Sequence, residues 1–197
     1  ARRIGYVSQN PDHQIFNTTV EEEIGYALKI LGFDQREIDE RVEQSLYEMG
    51  LEHAGKAHPL SLPRGDRARV VIAAVLAMKP ETIVFDEPTT GQDYRGAQRI
   101  LETTRRLHRR GMTIVLVTHH LYLMPAYAQR MIVMGVGTIL LDAPLRQAYY
   151  QFESLRQSYL EPPQSVILGN EMRRRIGSFP LVLTPAEFSA QFLEGGE

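Results

Sequence analysis

The sequence predicts an α/β fold: a mostly parallel sheet flanked by helices, with an inserted helical subdomain and a C-terminal extension. Three observations predict it. Continuous apolar runs at Ile4 to Val7, Thr82 to Phe85 and Met112 to Val117 stop abruptly at polar residues, as buried parallel strands do. Segments with apolar residues at helical spacing separate these runs. Two of the runs end in Asp86-Glu87 and in His119-His120, which sets reactive side chains at the carboxyl ends of strands, where such sheets bind ligands.

The bulk properties narrow the function classes. With 197 residues, 43% of them hydrophobic and 23% charged, the chain can bury a core and has the length of one domain plus an appendage. A net charge of −2 and a pI near 6.4 speak against nucleic acid as the main partner. There is no cysteine, so disulfides and thiolate metal sites are excluded and a reducing cytoplasm fits. The longest apolar run, Val70 to Met78, is far short of the ~20 residues that span a bilayer. Ala1-Arg2-Arg3-Ile4 is not an initiator sequence and leads at once into a strand, so the chain is expected to be a fragment.

Taken in order, Ile4 to Val7 is a short strand that gives way to Ser8 to Gln14, a polar segment without periodicity. Thr19 and Glu22 read as a capping box opening a helix through Leu31, closed by Gly32. Asp34 and Glu37 repeat the device, opening a helix with Ile38, Val42, Leu46 and Met49 on one face and Gly50 at its end. Residues 19 to about 60 therefore form an all-helical insert. Arg67 to Met78 predicts a third helix, apolar on every side and so buried. The strand Thr82 to Asp86 follows, then an amphipathic helix from Arg95 to Arg110 stopped by Gly111. Met112 to Thr118 is a second continuous apolar strand, suited to the middle of a sheet. Leu121 to Ala128 reads as a short helix, and Met131 to Met134 with Thr138 to Leu141 as a hairpin around Gly135-Val136-Gly137. Beyond Ala143 the pattern weakens into a loosely helical tail broken by Pro162-Pro163.

Asp86 and Glu87 are adjacent carboxylates, costly side by side unless a cation or a proton lies between them. Mg²⁺ with a nucleotide is the usual reason: the first acid holds the metal through water, the second orients or deprotonates an attacking water. A strand ending in an acidic turn is the plain alternative. His119 at a neighbouring strand end can hydrogen-bond a phosphate oxygen, although a His-His pair is often a surface turn. Gln9 can ligate Mg²⁺ or position water, or simply begin a loop. A phosphate loop should accompany such a site, and Gly50 to Ala57 has the spacing G-x4-G-K. It fails because Ala57 has no hydroxyl for Mg²⁺, a helix precedes it, and Pro59 follows where a helix should start. It reads as a helix C-cap and turn.

The order strand-Gln9, helical insert, Gly65/Arg67/Arg69 turn, strand-Asp86-Glu87, Asp93 and strand-His119 resembles the ATPase subunit of ABC transporters, beginning after its Walker A loop. The resemblance covers about the first 145 residues. It implies a P-loop NTPase-type fold for residues 1–145, with the helical subdomain at about 17–66 meeting a membrane partner, and a C-terminal extension at 146–197 that helps dimerisation. It implies ATP and Mg²⁺ as cofactors. Gln9 matches the Q-loop glutamine, on Mg²⁺ and the attacking water; Asp86 matches the Walker B aspartate, on Mg²⁺. Glu87 matches the catalytic glutamate, His119 the switch histidine on the γ-phosphate, and Asp93 the D-loop aspartate at the dimer interface. His120 stands where the family often has an acid.

One motif departs. The family signature Leu-Ser-Gly-Gly-Gln aligns with Leu62-Pro63-Arg64-Gly65-Asp66, which keeps only Leu62 and Gly65. In this family the signature acts on ATP held by the opposite subunit. Losing one charge-assisted hydrogen bond there costs ~1.5–3 kcal/mol, and Arg64 can offset part of it by offering a cation to phosphate. The expectation is an asymmetric ATPase pair, homodimeric or heterodimeric. Gln9 to Phe16 and Leu160 to Gln164 are similar to the energy-coupling factor group, importers of vitamins and metal ions such as cobalt. That likeness implies a transmembrane coupling protein, a membrane substrate-binding protein and a peripheral place on the cytoplasmic face of the membrane. A soluble ABC-type ATPase of DNA repair or ribosome work is the alternative. Its DNA-repair form would carry long coiled coils after Gln9, where two short helices stand. A catalytically weak regulatory partner is a third reading. The basic clusters Arg105 to Arg110 and Arg173 to Arg175 read as solvated surface, the first also complementing a helix dipole.

Overall fold

A computed structural model describes residues 3–193; Ala1 and Arg2, at the start of the expected ATPase portion, and 194–197, at the end of the expected extension, lie outside the described residues. The chain packs as two units, one up to Thr118 and the other from His119, so this division falls ahead of the 145/146 boundary expected from the sequence.

In the first unit the three apolar runs form a parallel sheet in the order β1 (Ile4–Val7), β2 (Thr82–Asp86), β3 (Thr113–Val117). The register pairs Val7 with Phe85 and Asp86 with Val117, so the carboxyl ends of all three strands finish at one edge. Between β1 and β2 come α1 (Val20–Ile30), α2 (Gln35–Met49) and α3 (Arg64–Ala77). The Thr19/Glu22 capping box forms in full. Asp34 caps α2 through the Glu37 amide at 2.8 Å, but the Glu37 carboxylate turns to Arg41 instead of reaching back, so that box is half made. Gly50 closes α2 in the left-handed conformation its sequence position predicts (φ 64°).

Two expectations are corrected here. Helix α3 begins at Arg64 with Pro63 before it, three residues earlier than periodicity indicates, because Pro63 presets its own φ and residues 64–66, exposed or half-buried, carry no apolar pattern to mark the first turn. And β3 is an edge strand of the three described, with Val115 and Val117 exposed; the middle position belongs to β2. One sheet face is packed, with Val7, Ile83 and Phe85 buried against a core that includes Val70, Ile72 and Ala73 of α3. Gly5 is required there, since a Cβ would come within 2.3 Å of Val75 Cγ1. The opposite face carries Ile4, Tyr6, Val115 and Val117 into the open. Because β2 alternates buried Ile83 and Phe85 with half-buried neighbours, its continuous apolar run does not mean burial on both sides.

The strand β2 leads through the loop 87–93 into α4 (Tyr94–Arg109), whose buried stripe runs through Ala97, Ile100, Leu101, Thr104 and Leu107.

The second unit holds a hairpin of β4 (Arg130–Gly135) and β5 (Thr138–Pro144), turned by Val136 and Gly137 at φ 50° and 74°. The positive angles at both central residues match a turn whose twist suits a hairpin. Leu121–Ala126 forms a 3₁₀ helix, tighter and shorter than the predicted helix. The tail consists of α5 (Leu145–Ala148), α6 (Phe152–Gln157), α7 (Gln164–Ile176) and α8 (Pro185–Leu193), with Pro163 immediately before α7. Tyr149 is fully buried and donates to the Leu121 carbonyl at 2.6 Å, which satisfies a hydroxyl that burial pushes well above its ordinary range.

Arg146 and Glu187 tie α5 to α8, with contacts of 2.7 and 2.9 Å, and Leu183 donates its amide to the same carboxylate. The Arg146 hydrogen bond holds the Glu187 carboxyl below its ordinary range. A depressed carboxyl stabilises above its unfolded value, about 4.3, and that stabilisation is lost as pH falls through the lower folded value. Acidification below about pH 4 is therefore expected to loosen α8, and Glu187→Gln to remove that pH dependence. Amide exchange of residues 185–193 across pH 3–6 checks it; a pH profile identical in the variant would contradict it.

Candidate functional site

The site residues of the first unit gather where β1, β2 and β3 end. Asp86 is the last residue of β2 and is half-buried. Its Oδ2 accepts a hydrogen bond of 2.7 Å from the Tyr6 hydroxyl, across the sheet on β1, and this bond raises the Tyr6 hydroxyl above its ordinary range. Glu87 follows in a left-handed conformation (φ 47°), unusual for a residue with a Cβ. Its amide donates to the Val117 carbonyl at 2.8 Å, which continues the β2–β3 ladder one residue past the strand and fixes the kink. The Thr90 and Thr118 hydroxyls both lie 3.3 Å from Glu87 Oε2. Strain of this kind persists where surroundings over-determine it and clusters at functional positions.

Gln9 lies two residues beyond β1, exposed, and lines a narrow crevice with Pro88, Thr90 and Gln92. Its segment is anchored on both sides. The Gln14 side chain bonds the Ser8 amide at 2.8 Å and the Tyr6 carbonyl at 3.2 Å. Buried Glu23 on α1 accepts from the Phe16 and Asn17 amides at 2.9 and 2.8 Å. Asp12 pairs with Arg67 of α3 at 2.7 Å, which ties the Gln9 segment to the helix that carries Arg64 and Gly65.

Asp93 caps α4, its Oδ1 accepting the Gly96 amide at 2.6 Å, so one of its oxygens serves the helix. Arg64, exposed in the first turn of α3, lays its guanidinium over Gly91. A Cβ at Gly91 would meet the Arg64 Nη1 at 2.6 Å, and φ there is 71°, so both space and backbone call for glycine. Gly65 faces Gln92, whose Oε1 would lie 3.5 Å from an added Cβ. The structure thus joins Asp86, Glu87 and the Gln9 segment at one edge, and sets Arg64 and Gly65 against the loop that holds Gly91 and Gln92. His119 opens the second unit, one residue past Thr118, exposed, with its ring tilted at 50° to that of His120 and the centroids 4.2 Å apart.

Sequence reasoning missed Tyr6, Thr90, Thr118 and Gly91. Threonines flanking an acid carry no distinctive signal. Tyr6 reaches Asp86 only through the strand register, which a single sequence does not disclose. The near match at Gly50 to Ala57 is structural: Lys56 pairs with Glu21 at 2.5 Å and Gly55 abuts the same carboxylate. Half-exposed carboxylate oxygen at Asp86 is a hard donor that fits Mg²⁺, whereas no phosphate loop occurs among the described residues.

A parallel sheet with paired acids at its carboxyl edge is the arrangement of an α/β protein of the P-loop NTPase type. The comparisons are specific. Residues 1–90 match the ABC transporter family. A putative ABC transporter ATP-binding protein of Methanosarcina mazei is 38% identical over 190 residues, covering 96% of this chain and 32% of the relative. The energy-coupling factor transporter ATP-binding protein EcfA of Methanocaldococcus jannaschii is 39% identical, covering 83% and 58%. EcfA2 of Clostridium perfringens is 37% identical, covering 88% and 62%. The solved structure of cbiO1 from Clostridium perfringens, part of the ABC transporter complex cbiONQ, aligns with a TM-score of 0.71 and 31% identity over 79% of this chain and 62% of that one. Residues 1–90 carry an ABC transporter domain, and most of the chain is similar to ATP-binding proteins of the energy-coupling factor type. The chain spans roughly a third to three-fifths of the length of these relatives, 32% and 62% at the limits of those named.

Proposed function

We propose that this chain is part of the ATP-hydrolysing subunit of an ABC importer of the energy-coupling factor type, acting in an asymmetric ATPase pair. The observation that carries the reading is the Asp86-Glu87 pair at the carboxyl edge of the sheet, with Glu87 held in a left-handed kink and the Gln9 segment beside it. Asp86 and Gln9 would hold Mg²⁺, which supplies charge neutralisation on the phosphates. Glu87 would orient the attacking water and accept its proton, and the Thr90 and Thr118 hydroxyls fix its carboxylate for that task. His119 would contact the transferred phosphoryl group, and Asp93 the partner subunit.

Support for asymmetry comes from the Leu62 to Asp66 segment. Pro63 offers no side-chain cap to α3, Arg64 rests on Gly91, and Asp66 is paired with Arg69 at 2.5 Å. The amides of the first turn of α3 can still meet phosphate, but without the serine hydroxyl. The competent site is then the one served by Glu87, completed by an intact signature from a second ATPase subunit.

Localisation follows the same reading. No helix among the described residues is long and apolar enough to cross a membrane. Attachment at the cytoplasmic face would run through α1 and α2 to a transmembrane coupling protein, with a separate membrane protein binding the vitamin or metal ion. The test is purification of the whole protein from membranes and assay of Mg²⁺-dependent ATP hydrolysis with and without its co-purifying ATPase. Hydrolysis that needs the second subunit is expected. Full activity in the isolated protein, with no membrane protein retained, would overturn the reading in favour of a soluble ATPase.

A further inference from the structure

We propose that Tyr6 is a positioning residue for Asp86, fixing which carboxylate oxygen faces the metal; the inference rests on the nucleotide-site reading above. The register pairs Tyr6 with Val84, and Asp86 stands two residues further along β2. Side chains alternate along strands, so Tyr6 and Asp86 share the open face of the sheet as diagonal neighbours. A diagonal of about 7–8 Å is too long for most side chains and suits the length of a tyrosine. The hydroxyl reaches Oδ2 at 2.7 Å.

Nothing about core packing demands that bond. Tyr6 is 49% exposed, so its hydroxyl has water available as an alternative partner. The choice of Asp86 commits Oδ2 and the carboxylate plane, while Oδ1 accepts no hydrogen bond from the described residues. A carboxylate held this way presents one oxygen in one direction. That suits Mg²⁺, which keeps several waters and takes few carboxylate oxygens in near-octahedral geometry. Hydrogen-bond partners of ligating carboxylates set their orientation, and their removal typically costs about tenfold to a hundredfold in metal affinity.

The experiment uses the whole protein with ADP and Mn²⁺ as a paramagnetic probe of the metal site. Tyr6→Phe is expected to weaken Mn²⁺ binding about tenfold, with metal-free ADP affinity within about twofold of the parent. In an Asp86→Asn background the same substitution should change nothing further, because its effect runs through that carboxylate. If Asp86→Asn leaves Mn²⁺ affinity intact, the metal-site reading itself falls. If Asp86→Asn weakens Mn²⁺ and Tyr6→Phe does not, or if Tyr6→Phe acts equally in both backgrounds, the role of Tyr6 alone is overturned. Should Tyr6→Phe fold poorly, 3-fluorotyrosine at position 6 keeps ring and hydroxyl. Its ¹⁹F resonance should move on Mg²⁺ addition with Asp86 present and stay fixed with Asp86→Asn; a resonance indifferent to Mg²⁺ with Asp86 present overturns the proposal.

Discussion

Glu87→Gln in the whole protein, assembled with its partner ATPase, is expected to lower ATP turnover by about a hundredfold to ten-thousandfold and to leave nucleotide binding intact. The amide keeps the size and most hydrogen-bonding geometry of the carboxylate but cannot take a proton from water. Its neighbours would not object: the Thr90 and Thr118 hydroxyls that approach Oε2 at 3.3 Å can donate to an amide oxygen as well. Nor does the left-handed backbone at Glu87 depend on charge, since the hydrogen bond its amide donates to the Val117 carbonyl holds it. A fall in turnover without a fall in affinity is the signature of an interaction made only on the way to the transition state. Turnover unchanged in the variant would remove Glu87 from catalysis and leave the strained kink without its proposed purpose.

Phe85→Ala should produce the largest loss of stability, about 3–5 kcal/mol. Phe85 is fully buried in the middle strand of the first unit and belongs to the core that β2 shares with α3. Truncation removes the transfer free energy of a ring and leaves a cavity in a close-packed interior, where β-branched residues of the same core such as Val70 and Val71 have little rotamer freedom to collapse into it. Because Phe85 immediately precedes Asp86, the strand end that orients both acids would lose definition with it. Urea denaturation of the whole protein, followed by a probe in the first unit, reads the change as a shift in midpoint. A loss below about 1 kcal/mol would mean that the sheet is held by something other than its packed face.

Helix starts and the paired acids were legible because they are local. Thr19 and Glu22 sit three residues apart and satisfy each other's orphan amides whatever lies around them. Gly50 and Gly32 mark helix ends because only glycine takes a positive φ without penalty. The start of α3 was misread since Arg64 is exposed, Gly65 and Asp66 are half-buried, and the three carry no apolar periodicity, so only the backbone shows them as helical. The place of β3 at the edge of the three described strands was not legible for a related reason. An apolar run tells of a preference for burial and not of which strand supplies the burial, and Val115 and Val117 lie open on one face.

By itself the sequence determined the α/β class, the helical insert and the identities of Gln9, Asp86, Glu87, Asp93 and His119 as the residues to examine, because each follows from neighbours a few positions away or from a motif order. The tertiary structure alone decided that Tyr6 grips Asp86, that Thr90 and Thr118 flank Glu87, and that Arg64 lies over Gly91. Those pairings join residues up to 80 positions apart in the chain. Strand register and helix docking bring them together, and both are set by the summed packing of the whole core, which no local stretch of sequence encodes.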